Sequence, residues 1–152
     1  MSTRDVTIRK ACEKDFPDVL GLIHEFSMFQ KTPEKVSVTL KQMIEEKNYF
    51  QCFVAETDEQ QIVGFASFFL AYYSWTGKAL YLDDLYVKES FRKQGIGKKL
   101  LYSVIDLAKN EQCKKVRWQV SKWNSNAIEF YKNIGAVIDD IEINCDLQIR
   151  GD

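Results

Sequence analysis

Arg92-Lys93-Gln94-Gly95-Ile96-Gly97 is the part of the chain densest in residues suited to binding chemistry. It follows a run with strand character, residues 79–87. It precedes a helical pattern in which Ile96, Leu100, Leu101, Val104, Ile105 and Ala108 share one face. Arg92, Lys93, Lys98 and Lys99 therefore crowd the start of a helix, the end its macrodipole already makes partly positive. Such crowding is unfavourable unless an anion rests on the free N–H groups of the first turn. Gly95 and Gly97 remove the Cβ atoms that would hold the backbone away from that anion. A phosphate or pyrophosphate fits. A Walker A loop does not, because it needs Gly at 92 and Ser or Thr at 99, where the chain has Arg92 and Lys99. A dinucleotide fingerprint needs Gly at 100, where Leu100 stands. What remains has the form R-x-x-G-x-G. For the six residues alone a solvated turn is an equal alternative; the flanking strand and helix favour the anion site.

Three further side chains invite chemistry. Asp83 and Asp84 lie mid-strand among apolar residues, where carboxylates are depleted and costly to bury unpaired. Regular alternation lets only one of them face a given side. An ion pair at the edge of the core is the structural alternative. Tyr131 recurs with Ala127 and Ile134 at helical spacing, which turns its ring inward, where a buried hydroxyl needs a partner. A backbone carbonyl is the plain partner; a reacting atom is the functional one.

The elements that position these residues follow from periodicity. Residues 6–9 alternate as a short strand, and 15–29 carry Phe16, Val19, Leu20, Leu22, Ile23 and Phe26 at helical spacing. Pro33 is placed to open a second helix through residue 47. Residues 49–56 and 62–73 read as a hairpin around a polar turn, 79–87 and 115–120 as further strands. Asn124 caps a helix over 124–134 that Gly135 stops, and 136–138 and 141–149 supply the last strands. The order β-α-α-β-β-β-α-β-α-β-β describes one mixed α/β (α+β) domain over 1–152. No repeat, linker or domain boundary interrupts it.

Composition narrows the classes. Hydrophobic residues at 45% support a core, and a formal net charge of −1 gives no global field to recruit nucleic acid. The amino-terminal residues have no signal-peptide core, and the longest apolar run, 62–73, is too short to span a bilayer. Cys12, Cys52, Cys113 and Cys145 form no CxxC pair, which suits reduced thiols in the cytoplasm. His24 is the sole histidine and reads as an incidental side chain on an amphipathic helix. That argues against a zinc site and against Ser-His-Asp or Cys-His catalysis. No metal is expected.

With R-x-x-G-x-G placed between strand and helix, the chain resembles the GNAT acetyltransferase superfamily. The resemblance runs from Val6 to about Ile149. Within the superfamily it is most similar to the branch holding spermidine/spermine N-acetyltransferases and thialysine N-ε-acetyltransferases. That likeness rests on Trp75-x-Gly77-Lys78, Leu80-Tyr81-Leu82-Asp83-Asp84-Leu85-Tyr86-Val87 and Trp123-Asn124…Phe130-Tyr131-Lys132…Gly135-Ala136. The resemblance implies a central mixed, mostly antiparallel twisted sheet flanked by helices. It also implies acetyl-CoA as cosubstrate. By similarity, Leu85, Tyr86 and Val87 bind the pantetheine arm through their backbone, although the side chains of Leu85 and Val87 read equally well as core. The loop Arg92, Lys93, Gln94, Gly95, Ile96, Gly97 and Lys98 holds the pyrophosphate. Asn124, Ser125, Asn126 and Ala127 meet the arm from the other side, although capping alone explains Asn124. Tyr131 protonates the departing thiolate. A bulge, also implied, relaxes the one-side rule for Asp83 and Asp84, so that either accepts the amine proton, directly or through water.

Where relatives usually have Glu, this chain has the shorter Asp83. Where polyamine-acetylating relatives carry an acid after the first helix, it has Gln30, beside Phe29. Near the end it reads Asp139-Asp140-Ile141-Glu142 in place of an acidic-Trp element. The last two departures weaken specificity for a long polycation and set a shorter diamine, thialysine or a lysine-like amino acid beside a polyamine as the expected acceptor. Trp75, Arg117, Trp118 and Gln119 are candidates to line its cleft, with strand packing and surface polarity as the alternative. The expected partners are thus a small-molecule amine and, on resemblance, a second copy in a homodimer, with no nucleic acid and no membrane. Two rivals remain: a protein N-terminal or lysine acetyltransferase, and a non-catalytic acetyl-CoA-binding module.

Overall fold

The computed structural model describes residues 5–149. The chain divides into two compact units between Trp118 and Gln119. The first contains a five-stranded sheet in the order β1 (Val6–Lys10), β2 (Gln51–Thr57), β3 (Ile62–Tyr73), β4 (Gly77–Val87) and β5 (Val116–Arg117). Neighbours are antiparallel except β4 and β5, which run parallel. The mixed, mostly antiparallel expectation holds.

Helices α1 (Phe16–Phe29) and α3 (Ile96–Asn110) cover opposite faces of this sheet; the short α2 (Leu40–Glu45) lies between α1 and β2 in sequence. Cross-strand partners share a face. Val54, Phe65 and Tyr86, partners in register, pack with Phe16, Val19 and Leu22 of α1 and Met43 of α2. On the other face Leu100 of α3 approaches Gly64 of β3. A Cβ on Gly64 would lie 3.0 Å from the Tyr86 carbonyl oxygen and 3.2 Å from Leu100 Cδ1, so a larger residue would have to push its neighbours aside. The expected face of α3 is buried at Ile96, Leu100, Leu101, Val104 and Ala108. Each of these side chains except that of Ala108 contributes roughly 1.5–3 kcal/mol by leaving water.

Around β1 the core edge is held electrostatically. Arg9 grips Asp15 with two hydrogen bonds of 2.8 and 2.9 Å and donates a third, of 3.0 Å, to Glu56. Asp15 also accepts from the Cys12 N–H, and the guanidinium holds its carboxyl well below the usual carboxylate range.

The second unit contains α4 (Ser125–Asn133). Its start and stop match the sequence reading. Asn124 Oδ1 accepts from the Ala127 N–H, and Gly135 takes φ +99° while its N–H donates to Lys132. The Ala136 N–H donates to the Tyr131 carbonyl, completing a Schellman closure.

Several element expectations need correction. The helix foreseen from Pro33 to residue 47 is a 3-10 turn, Pro33–Lys35, then α2, which begins only where Thr39 accepts from the Gln42 N–H. Pro33 supplies a start that nothing downstream extends. The strand foreseen at 115–120 is two residues long, because parallel pairing is weak and β4 leaves register near its middle. No strand forms over 136–138 or 141–149 among the described residues. Their alternation asks for a neighbouring edge, and a lone strand cannot satisfy its own backbone.

Candidate active site

The middle of β4 is bulged. Ser67 pairs with Asp84 but Phe68 with Leu82, which leaves Asp83 as the extra residue. Ser67 Oγ, buried in β3, accepts the Asp84 N–H at 3.2 Å and stitches the bulge closed. A bulge turns two successive side chains toward one side, here the α1 face, where Tyr81 also lies. Burial raises the pKa of both carboxyls. That of Asp84 is pushed up to about 6, with the Asp83 charge adding to the effect. Asp83 nonetheless keeps a solvent-exposed side, which leaves it open to a cationic partner.

Beyond Tyr81 the ladder between β4 and β5 ends. Among the described residues, Leu85, Tyr86 and Val87 therefore pair with β3 on one edge only. Apart from the Val87 carbonyl, which accepts from Arg92 Nε, their other edge is open, the kind of edge an extended ligand can join as a strand.

The phosphate-loop candidates sit at the α3 N-terminus. Gly95 caps the helix at φ +80° and Lys93 also takes a positive φ, 65°. A left-handed residue at each position folds the loop back so that successive N–H groups point outward, an anion-binding concavity. The first helical bond, Lys99 N–H to the Gly95 carbonyl at 3.0 Å, leaves the N–H groups of Ile96, Gly97 and Lys98 ahead of it. A Cβ on Gly95 would meet nothing within 4 Å, so the approach is open. Gln94 Oε1 is buried without a hydrogen-bond partner among the described residues. An acceptor stranded in this way costs about 1–3 kcal/mol and fits a ligand donor reaching the loop. These features suit a coenzyme A pyrophosphate.

Arg92 differs from the expectation of a cation facing an anion. Its Nε donates to the Val87 carbonyl at 2.9 Å, and its guanidinium sits 4.9 Å from the Phe29 ring and 5.3 Å from the Tyr86 ring. It braces the loop against α1 and β4. Glu25, absent from the sequence reading, reinforces this brace: it accepts from Lys88 Nζ at 2.7 Å and from the Tyr86 hydroxyl at 3.3 Å. An acid among the apolar positions of α1 was the available signal. Ser67 was the matching signal in the apolar run of β3.

The remaining candidates are placed as follows. Gln30 ends α1, its N–H donating to the Phe26 carbonyl at 2.9 Å. Trp75, in the turn between β3 and β4, is 97% exposed. Arg117 joins β5 opposite Tyr81 and is followed by the half-buried Trp118. In the second unit, Gln119 donates to Asn144 Oδ1 at 3.4 Å. There too, Asn124, Ala127, Tyr131 and Ile134 form the less exposed face of α4, as the spacing predicted, with Ser125 and Asn126 outward. Burial holds the Tyr131 phenol above its ordinary pKa, so it stays protonated at neutral pH. Among the described residues no group of three or more His, Cys, Asp or Glu could hold a metal. None of their helices is long and apolar enough to cross a membrane.

An open strand edge beside a bulge, leading into a glycine-opened helix, defines an acyltransferase architecture. The chain matches the acetyltransferase (GNAT) family over residues 16–136 and belongs to it, as an acetyl-CoA-dependent N-acetyltransferase. It is 34% identical over 142 residues to thialysine N-ε-acetyltransferase of Sus scrofa, covering 86% of this chain and 84% of that one. It is 33% identical over 140 residues to spermidine/spermine N(1)-acetyltransferase-like protein 1 of Homo sapiens, covering 86% of this chain and 20% of the other. Among solved structures, an aminoglycoside N-acetyltransferase in complex with CoA superposes with a TM-score of 0.77 at 17% identity. That superposition covers 97% of each chain and speaks for the fold.

Proposed function

We propose that the whole chain, 1–152, works as one N-acetyltransferase domain that moves acetyl from acetyl-CoA to a primary amine of a small molecule. The bulge that turns Asp83 and Asp84 to one face, beside the open edge of Leu85–Val87, carries this reading. An alkyl amine with a pKa of about 10.4 reaches the site protonated and cannot attack until it loses that proton. Asp84 is ionised at neutral pH yet close to its titration range, which suits a group that takes a proton during turnover. Asp83, more exposed, attracts the cation. The freed amine attacks the acetyl carbonyl, a β4 N–H stabilises the oxyanion, and Tyr131, protonated, returns a proton to the sulfur. No acyl-enzyme forms.

Similarity to a thialysine N-ε-acetyltransferase and to a spermidine/spermine N(1)-acetyltransferase-like protein supports the small-amine class. The four cysteines, all free thiols, suit a reducing cytoplasm. Ile141, Ile143, Leu147 and Ile149 alternate along the tail and are each at least 85% exposed, which favours a strand partner from a second copy and hence a homodimer. The test is coenzyme A release across amines graded in length and charge, with peptides alongside. Turnover of small amines above peptides is expected. Binding of acetyl-CoA without release on any amine would overturn the enzymatic reading.

A further inference from the structure

On the α1 face of the sheet a second charged group lies beyond the acidic pair. Lys115 Nζ is 4.6 Å, and the Arg117 guanidinium carbon 4.7 Å, from the centre of the Tyr73 ring. Cations next to and on β5 reach a ring on β3 because the intervening β4 positions are Gly77, opposite Tyr73, and Ala79, opposite Ala71. Neither is bulky enough to separate them. Each cation is attracted to the face of the ring, while the two repel one another. Neither has a carboxylate partner among the described residues.

Arg117 stands opposite Tyr81, and Asp83 follows Tyr81 by two residues along β4, roughly 6–7 Å at strand spacing. Tyr81 feels both ends: the charge of Asp83 raises its pKa and that of Arg117 lowers it, with burial the largest effect. Phe69 stacks on Tyr81 at 5.1 Å. The face thus has an acidic end, an aromatic floor and a basic end. A polyamine would bring an uncompensated second cation to the basic end and be repelled, whereas the α-ammonium of an amino acid arrives beside its carboxylate. A molecule with an amine at one end and a carboxylate at the other matches both.

We propose that Lys115 and Arg117 form a carboxylate-binding subsite, so that the acceptor is an ω-amino acid whose far amine meets Asp83 and Asp84. This rests on the acetyl-transfer reading above. The test is steady-state kinetics of the full chain with two matched pairs: lysine against cadaverine, and thialysine against its decarboxylated counterpart. In Lys115→Ala/Arg117→Ala, KM for lysine and thialysine rises at least ~10-fold, since one charge-assisted hydrogen bond is worth about 1.5–3 kcal/mol. KM for the decarboxylated partners stays level or falls, and that for acetyl-CoA is unchanged. Lys115→Arg/Arg117→Lys, which keeps both charges, retains most lysine affinity. Equal losses with and without the carboxylate would overturn the proposal. So would a rise in acetyl-CoA KM, which would assign the cations to a cofactor phosphate instead. Wild type that releases coenzyme A with cadaverine but ignores lysine removes the subsite and leaves acetyl transfer standing; silence with every amine removes both.

Discussion

Residues 77–110 and residues 136–149 both carry strong apolar patterns, yet only the first buries that pattern within its own unit. In β4 and α3 the apolar positions Leu80, Leu82, Leu100, Leu101 and Val104 are at most 2% exposed, and the backbone closes on β3. In the tail, Ile141, Ile143, Leu147 and Ile149 alternate as regularly and stay open to water. The contrast shows that periodicity fixes which side of a segment is apolar. Whether a strand forms depends on an edge to join, which the segment itself does not contain.

The contrast can be broken at several points. The largest effect is expected at α4, in the second unit. Tyr131→Phe should lower kcat by ~100-fold or more, the scale of general-acid catalysis, with acetyl-CoA affinity unchanged in equilibrium titration. Equal turnover would remove Tyr131 as the acid. Next comes the closed region. Gly64→Ala drives a Cβ against the Tyr86 carbonyl and should cost about 1–3 kcal/mol in urea unfolding. An unchanged midpoint would show that β3, β4 and α3 are less tightly fitted than the distances say.

Asp84→Asn separates activity from stability. Because the folded pKa of Asp84 lies above its ordinary 3.8, its ionisation opposes folding above pH ~6, and that cost fades as pH falls toward 4. The variant should therefore be more stable at pH 7, by ~1 kcal/mol once solvent screening is allowed for, while losing the acid limb of kcat/KM near pH 6. A wild-type profile flat from pH 5 to 8 would contradict the base assignment. The smallest effect on folding is expected in the open region. Ile143→Asp should shift unfolding by less than ~0.5 kcal/mol but shift the sedimentation coefficient from dimer to monomer. A dimer that survives places the subunit contact elsewhere.

Much of this was readable from residue types. The order of elements through α4, the inward face of α3, the Asn124 cap and the Gly135 stop all follow from local signals that the structure repeats. The glycine loop stood out because Gly95 and Gly97 open a helix start that Lys93, Lys98 and Lys99 crowd. What escaped was non-local. The role of Arg92 depends on Phe29, far away in sequence, and on Glu25 anchoring Lys88 and Tyr86. The stitch at Ser67 needed the register of β3 against β4. The tail strands failed because alternation within 141–149 says nothing about what lies alongside.

The central claim is that the backbone opening α3 binds the pyrophosphate of acetyl-CoA while the free edge of β4 takes its pantetheine arm. Amide chemical shifts of the uniformly labelled protein during titration with coenzyme A test this most directly. The account predicts saturable shifts at residues 93–98 and at Leu85, Tyr86 and Val87, with 1:1 stoichiometry per chain. Saturation with those amides unmoved, or shifts confined to other elements, would contradict it.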